Sequence, residues 1–159
     1  CRMPGILLVT HGGLGESLIQ TVSHVLNRHP SRLKQMGLTA QDDPLQLLPH
    51  ARKLVAELDD GSGVLVITDV VGGTPANCTM QLCLPGEVEV IAGISLPMLL
   101  RAITYRHDTL DVVLEMALAG GAIAGFTGPL GASNLDMGAR PVKPGGKVKK
   151  RKKTFVRWK

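Results

Sequence analysis

Two short apolar runs constrain this 159-residue chain more than anything else in it: Gly5-Ile-Leu-Leu-Val9 and Gly63-Val-Leu-Val-Ile67. Each is rich in β-branched or aliphatic residues and almost free of polar ones. That is the pattern of strands covered on both faces, as in a parallel sheet packed between helix layers. Each run stops at polar residues followed by paired glycines, in Thr10-His11-Gly12-Gly13 and in Thr68-Asp69-Val70-Val71-Gly72-Gly73-Thr74-Pro75-Ala76-Asn77. In an open α/β sheet, ligands bind beyond the carboxyl ends of the strands. If these two strands are neighbours, His11 and Asp69 converge there.

The residue types then point to a chemistry. An aspartate that accepts a hydrogen bond from one ring nitrogen of His11 fixes the tautomer, leaves the other nitrogen free to attack phosphorus, and stabilises the resulting cation. Gly72 and Gly73 are expected to permit positive φ and close backbone approach, and Thr74-Pro75 reads as a helix start with Thr74 as N-cap and Pro75 at the first position. Free backbone N–H groups of Gly72, Gly73 and Thr74 would cradle phosphoryl oxygens. Taken singly, His11 is an ordinary loop histidine, Asp69 a strand-end cap, and the glycines turn formers. Placed together at equivalent ends of two core strands, they favour a phosphohistidine site.

The rest of the chain alternates strand and helix signals. Leu18, Ile19, Val22, Val25 and Leu26 give a helical stripe within 16–27, and Leu33–Leu38 reads as a second strand, less apolar and nearer an edge. Asp42-Asp43-Pro44 caps a helix through about Leu58, with Leu47, Leu48, Ala51, Leu54, Val55 and Leu58 facing inward. A third helix follows Pro75, a strand spans 87–92, and helices follow at 97–105 and 109–119. A weak apolar segment, Ala122–Phe126, is expected to complete the sheet. This alternation predicts a doubly wound α/β domain with a mainly parallel sheet and helices on both faces.

Charge divides the chain. Residues 140–159 hold ten Lys or Arg and no acid, whereas 1–139 hold eight basic and thirteen acidic residues, so a body of −5 precedes a tail of +10. Residues 1–128 are expected to form the folded domain, and 129–159 a Gly/Pro-rich linker and basic arm, largely disordered alone. The Lys149–Lys153 run invites nonspecific contact with nucleic acid or an anionic membrane, and a solvated tail is the favoured reading. Of four aromatic residues, Phe155 and Trp158 lie in this tail, which disfavours a base-stacking platform in the body. No apolar run approaches the roughly 20 residues that span a bilayer, so a cytoplasmic body is expected.

Other chemistries lack their patterns. Gly12-Gly13-x-Gly15 has neither the Gly-Lys-Ser/Thr ending of a nucleotide loop nor the dinucleotide fingerprint. Cys1, Cys78 and Cys83 lack zinc-module spacing, and Cys78 and Cys83 read as buried thiols. His24, His29, His50 and His107 are scattered as surface or packing residues, and neither a metal nor an organic cofactor is called for.

In order and separation, Thr10-His11-Gly12, Asp69-x-x-Gly72-Gly73-Thr74-Pro75-x-Asn77 and Val90-Ile-Ala-Gly93-Ile-Ser-Leu-Pro97-Met-Leu99 resemble the mannose-type enzyme IIA domain of the bacterial phosphoenolpyruvate-dependent sugar phosphotransferase system. The resemblance runs from about Pro4 to Gly128. It implies that His11 accepts a phosphoryl group from the histidine-containing phosphocarrier protein and passes it to an enzyme IIB partner, with Asp69 assisting. It also implies a homodimer, and it allows exchange of the last strand between subunits. Thr10, Asn77, Ser95 and Pro97 are candidates to line the site. The alternative function is a regulatory sensor of phosphorylation state without a dedicated sugar permease.

Overall fold

A computed structural model describes residues 2–70 and 73–123. The chain order is β1 (Gly5–His11), α1 (Leu14–Leu26), β2 (Leu33–Leu38), α2 (Pro44–Leu58), β3 (Val64–Thr68), α3 (Thr74–Met80), β4 (Val88–Ala92), α4 (Leu96–Thr104) and α5 (Leu110–Ile123). The four strands form one sheet in the order β2-β1-β3-β4, parallel at every pairing. The two apolar runs therefore lie side by side at the centre, with Val9 opposite Thr68. The α/β class and the parallel sheet are as the sequence predicts, and β2 is an edge strand.

Alternation along the central strands builds two cores. Ile6, Leu8, Leu65 and Ile67 face one way and pack with Val22 of α1, Leu99 and Ile103 of α4, and Val113 of α5. Leu7, Val9, Val64 and Val66 face the other way and pack with Leu48 and Ala51 of α2 and Cys78 of α3. Every residue of β3 is buried, which accounts for a strand with no polar face. The expected stripe of α2 is inward, with Leu48, Ala51 and Leu58 buried and Leu47, Leu54 and Val55 packed beside them. Val25 departs from its predicted role: it lies at the rim of the α1 stripe and is half exposed. Cys83 is only partly buried, unlike Cys78.

Local chemistry sets the helix ends. Asp43 Oδ1 accepts from the Leu45 N–H at 3.0 Å ahead of α2, and Ser95 Oγ accepts from the Met98 N–H at 3.2 Å ahead of α4. At the strand-entry side of the sheet, Arg106 is buried and its Nε–H donates to the Pro4 carbonyl at 2.9 Å. Burial, reinforced by Arg32 and Arg28, pushes this guanidinium down to about 10, so it still carries its charge at neutral pH. It ties the start of β1 to the end of α4 and leaves the opposite rim free for chemistry.

One expected element differs. Ala122 and Ile123, the beginning of the predicted last strand, continue α5, while the remainder of that segment and the 129–159 tail lie outside the described residues. The Gly120-Gly121 pair does not end the helix, because it serves packing against α4. A Cβ at Gly120 would stand 2.7 Å from Arg101 Cγ and 2.9 Å from the Pro97 carbonyl oxygen, and one at Gly121 would stand 2.7 Å from Met98 Cε. Missing side chains let the two helices approach.

Gly120→Ala should therefore destabilise the fold by about 1–3 kcal/mol, the usual cost of overpacking, even though alanine is the better helix former by about 1 kcal/mol. Urea unfolding checks the sign, and a gain in stability would show that the α4–α5 contact is not close.

Candidate active site

The site is assembled where β1 and β3 end. β1 runs through His11, two residues past its apolar core, whereas β3 stops at Thr68 and releases Asp69 into the following turn. Asp69 then bridges to the neighbouring strand. Its Oδ2 accepts the His11 backbone N–H at 2.9 Å and faces His11 Nδ1 at 2.7 Å, while Oδ1 accepts the Val70 N–H at 2.8 Å. The contact assigns the proton to Nδ1 and leaves Nε2 as the lone-pair nitrogen.

Exposure separates the roles of the two side chains. That of Asp69 is 10% accessible and that of His11 is 53%, so the carboxylate is set into the protein and the ring stands in solvent reach. Burial acts to raise the Asp69 pKa, but the hydrogen bonds from the His11 backbone, the His11 ring and Val70 outweigh it and hold the group below its ordinary value. Asp69 is consequently a charged acceptor at neutral pH.

Gly73 lies against the free edge of the imidazole: a Cβ there would stand 3.1 Å from His11 Cε1 and 3.6 Å from Nε2. Glycine keeps that edge open. Two local expectations need correction, since Gly73 has φ −79° rather than a positive value and is itself the cap of α3. Thr74 is already helical and Pro75 follows within the first turn, where proline loses no hydrogen bond because the first N–H groups have no intrahelical partner. Gly72 lies outside the described residues.

The other candidates support the pair from behind or from the side. Thr10 is fully buried on the face opposite His11, and its Oγ1 accepts the Gly15 N–H at 3.0 Å, pinning the turn into α1. Ser95 caps α4, and Pro97 lies in that helix's first turn. Their motif reaches the site through backbone instead: the Gly93 N–H donates to the Asp69 carbonyl at 2.9 Å and the Ile94 N–H to the Thr68 carbonyl at 3.0 Å. These anchors were not among the predicted site residues, although Gly93 stands in the third motif. Asn77 is exposed on α3 and borders a cavity of about 350 Å³ with Thr68, Ala76, Met80 and β4. His107 and Asp108 sit beside Ser62 and Gly86, next to the strand starts and away from His11.

A largely buried carboxylate holds an exposed imidazole at adjacent strand ends of a parallel α/β domain. Comparison with known proteins gives the family. The profile of the PTS system fructose IIA component family matches residues 5–118, and the chain belongs to this mannose-type family of sugar phosphotransferase system (PTS) IIA components. It is 29% identical over 119 residues to the PTS system mannose-specific EIIAB component of Escherichia coli, an alignment covering 73% of this chain. That alignment spans 36% of the relative's length. The fold is similar to the mannose/sorbose-specific IIA subunit of Enterococcus faecalis, with a TM-score of 0.71, 23% identity and coverage of 82% of this chain and 98% of that one. It is also similar to phosphotransferase system component EIIA of Streptococcus agalactiae, with a TM-score of 0.70, 21% identity and coverage of 79% and 97%.

The depressed Asp69 pKa gives a signed pH prediction. The stabilisation from its ionised form is present above the unfolded carboxylate value of about 3.9 and is lost as pH falls through the lower folded value. The stability difference between wild type and Asp69→Asn should therefore narrow from about pH 5 to pH 2 in urea unfolding. A difference independent of pH across that window would mean that the carboxylate is not held by these bonds.

Proposed function

We propose that the protein is a cytoplasmic phosphocarrier of sugar uptake, in which His11 accepts a phosphoryl group from the histidine-containing phosphocarrier protein and passes it to an enzyme IIB partner. The observation that carries this reading is the 2.7 Å contact between His11 Nδ1 and Asp69 Oδ2, which commits one nitrogen and frees the other. The Nε2 lone pair forms the new bond to phosphorus as the P–N bond of the donor phosphohistidine breaks, and that bond's electron pair returns to the donor ring. Asp69 holds the proton on Nδ1 and balances the imidazolium charge. Backbone N–H groups of Gly72, Gly73 and Thr74 contact the phosphoryl oxygens, where charge is spread over the transferring group. Onward transfer reverses the same step.

We also propose a homodimer closed by exchange of the segment after α5. β4 has no strand on its outer side among the described residues. Beside it lie the 350 Å³ cavity, walled mainly by Ala76, Met80, Val90, Ile91 and Ala92, and the exposed side chains of Met80 and Leu84. An open apolar edge of this kind favours strand addition.

Reconstitution with enzyme I, the phosphocarrier protein and phosphoenolpyruvate should place an acid-labile phosphoryl group on His11. His11→Ala should fold and take none, and Asp69→Asn should slow transfer about tenfold or more, the cost of roughly 1.4 kcal/mol of charge support. Equal labelling of a folded His11→Ala protein would refute the assignment. Light scattering on the same active preparation should read a dimer, and full transfer by a strict monomer would remove the exchanged strand from the account.

A further inference from the structure

We propose that Gly37, on the edge strand β2, is a positioning residue for His11, acting through the carbonyl of Gly12; the inference rests on the phosphohistidine reading above. Gly37 lies opposite Thr10 in the β1–β2 register, one step before His11 meets Leu38. Beyond His11 the chain leaves the sheet at Gly12, whose φ is +53°, and the Gly12 N–H donates to the Leu38 carbonyl at 2.8 Å. The turn after the nucleophile is thus tied to β2.

The two glycines serve that turn differently. A Cβ at Gly12 would meet nothing within 4 Å, so Gly12 is required for its left-handed backbone alone. A Cβ at Gly37 would overlap the Gly12 carbonyl oxygen and stand 3.2 Å from its carbonyl carbon. Both are backbone atoms, so no side-chain rotation relieves the overlap. Gly37 leaves the space that the Gly12 carbonyl occupies.

The carbonyl that would have to move belongs to the Gly12–Gly13 peptide, one residue past His11. The His11 N–H and Nδ1 both reach the single oxygen Asp69 Oδ2, a two-point contact that tolerates little displacement. Relieving the overlap requires a shift approaching 1 Å, enough by analogy with other misplaced reacting groups to reduce rate by about a hundredfold. The effect belongs to geometry. Gly37 touches neither the ring nor the transferred group, and its influence is felt in how the ring is presented to Asp69.

The experiment compares wild type, Gly37→Ala and a control, Gly86→Ala. Gly86 has φ +81° with nothing within 4 Å of its Cβ, and it lies near the start of β4, so its substitution strains the backbone without reaching His11. Two readouts are taken. Imidazole ¹H–¹⁵N spectra of the unphosphorylated proteins report the Nδ1–H to Asp69 bond, and rapid-quench transfer from the phosphorylated phosphocarrier protein reports rate at saturating donor.

Gly37→Ala should lose the hydrogen-bonded Nδ1–H signature and transfer about a hundredfold more slowly with little change in KM, while Gly86→Ala keeps both. A folded Gly37→Ala protein with the wild-type signature and rate overturns the inference, as does an equal loss in Gly86→Ala. Should Gly37→Ala fail to fold, Gly12→Ala tests the same turn by strain alone: a weakened signature supports the inference and an intact one overturns it. Absence of phosphorylation in wild type would strike the functional reading instead, and the spectra would still decide whether Gly37 positions His11.

Discussion

The structure's chemistry depends on one carboxylate oxygen. Asp69 Oδ2 takes both the backbone N–H and the ring nitrogen of His11, so it fixes where the chain at His11 lies and which way the imidazole turns. Such a contact needs two neighbouring strands that run the same way, and the parallel pairing of β1 with β3 supplies them. It also needs strands of unequal length. Had β1 stopped with its apolar run at Val9, His11 would have fallen into a loop, whereas its continuation through His11 places the ring beside the residue that β3 releases.

Around that contact each outer strand stabilises one half of the pair. β2 accepts the Gly12 N–H and holds the turn after His11, while the end of β4 donates the Gly93 and Ile94 N–H groups to the carbonyls of Asp69 and Thr68. Neither set of bonds touches the His11 ring or the Asp69 carboxylate. They define the backbone on which the 2.7 Å contact rests.

The parts legible in the sequence were those written in local chemistry. Unbroken apolar runs announced β1 and β3, Asp43-Pro44 announced α2, and polar residues followed by glycines marked the strand ends where His11 and Asp69 meet. What the sequence concealed depended on tertiary neighbours. Ala122–Phe126 reads as a strand, yet Ala122 and Ile123 continue α5, where Gly120 and Gly121 leave the space that α4 needs. Thr74-Pro75 reads as cap and first residue, yet the helix starts one position earlier because proline fits anywhere in a first turn. Thr10 looks like a site residue from its neighbour in the motif, but strand alternation turns it into the core, where it anchors Gly15.

The account turns on which nitrogen of His11 is left free. ¹⁵N-labelled protein, phosphorylated through the phosphocarrier and read by long-range ¹H–¹⁵N and ³¹P–¹⁵N couplings, identifies the nitrogen bonded to phosphorus. With Nδ1 committed to Asp69 Oδ2, the phosphorus must be on Nε2 and Nδ1 must still carry its proton. Phosphorus on Nδ1 would contradict the account, because the bond that orients the imidazole would have to break before the chemistry began.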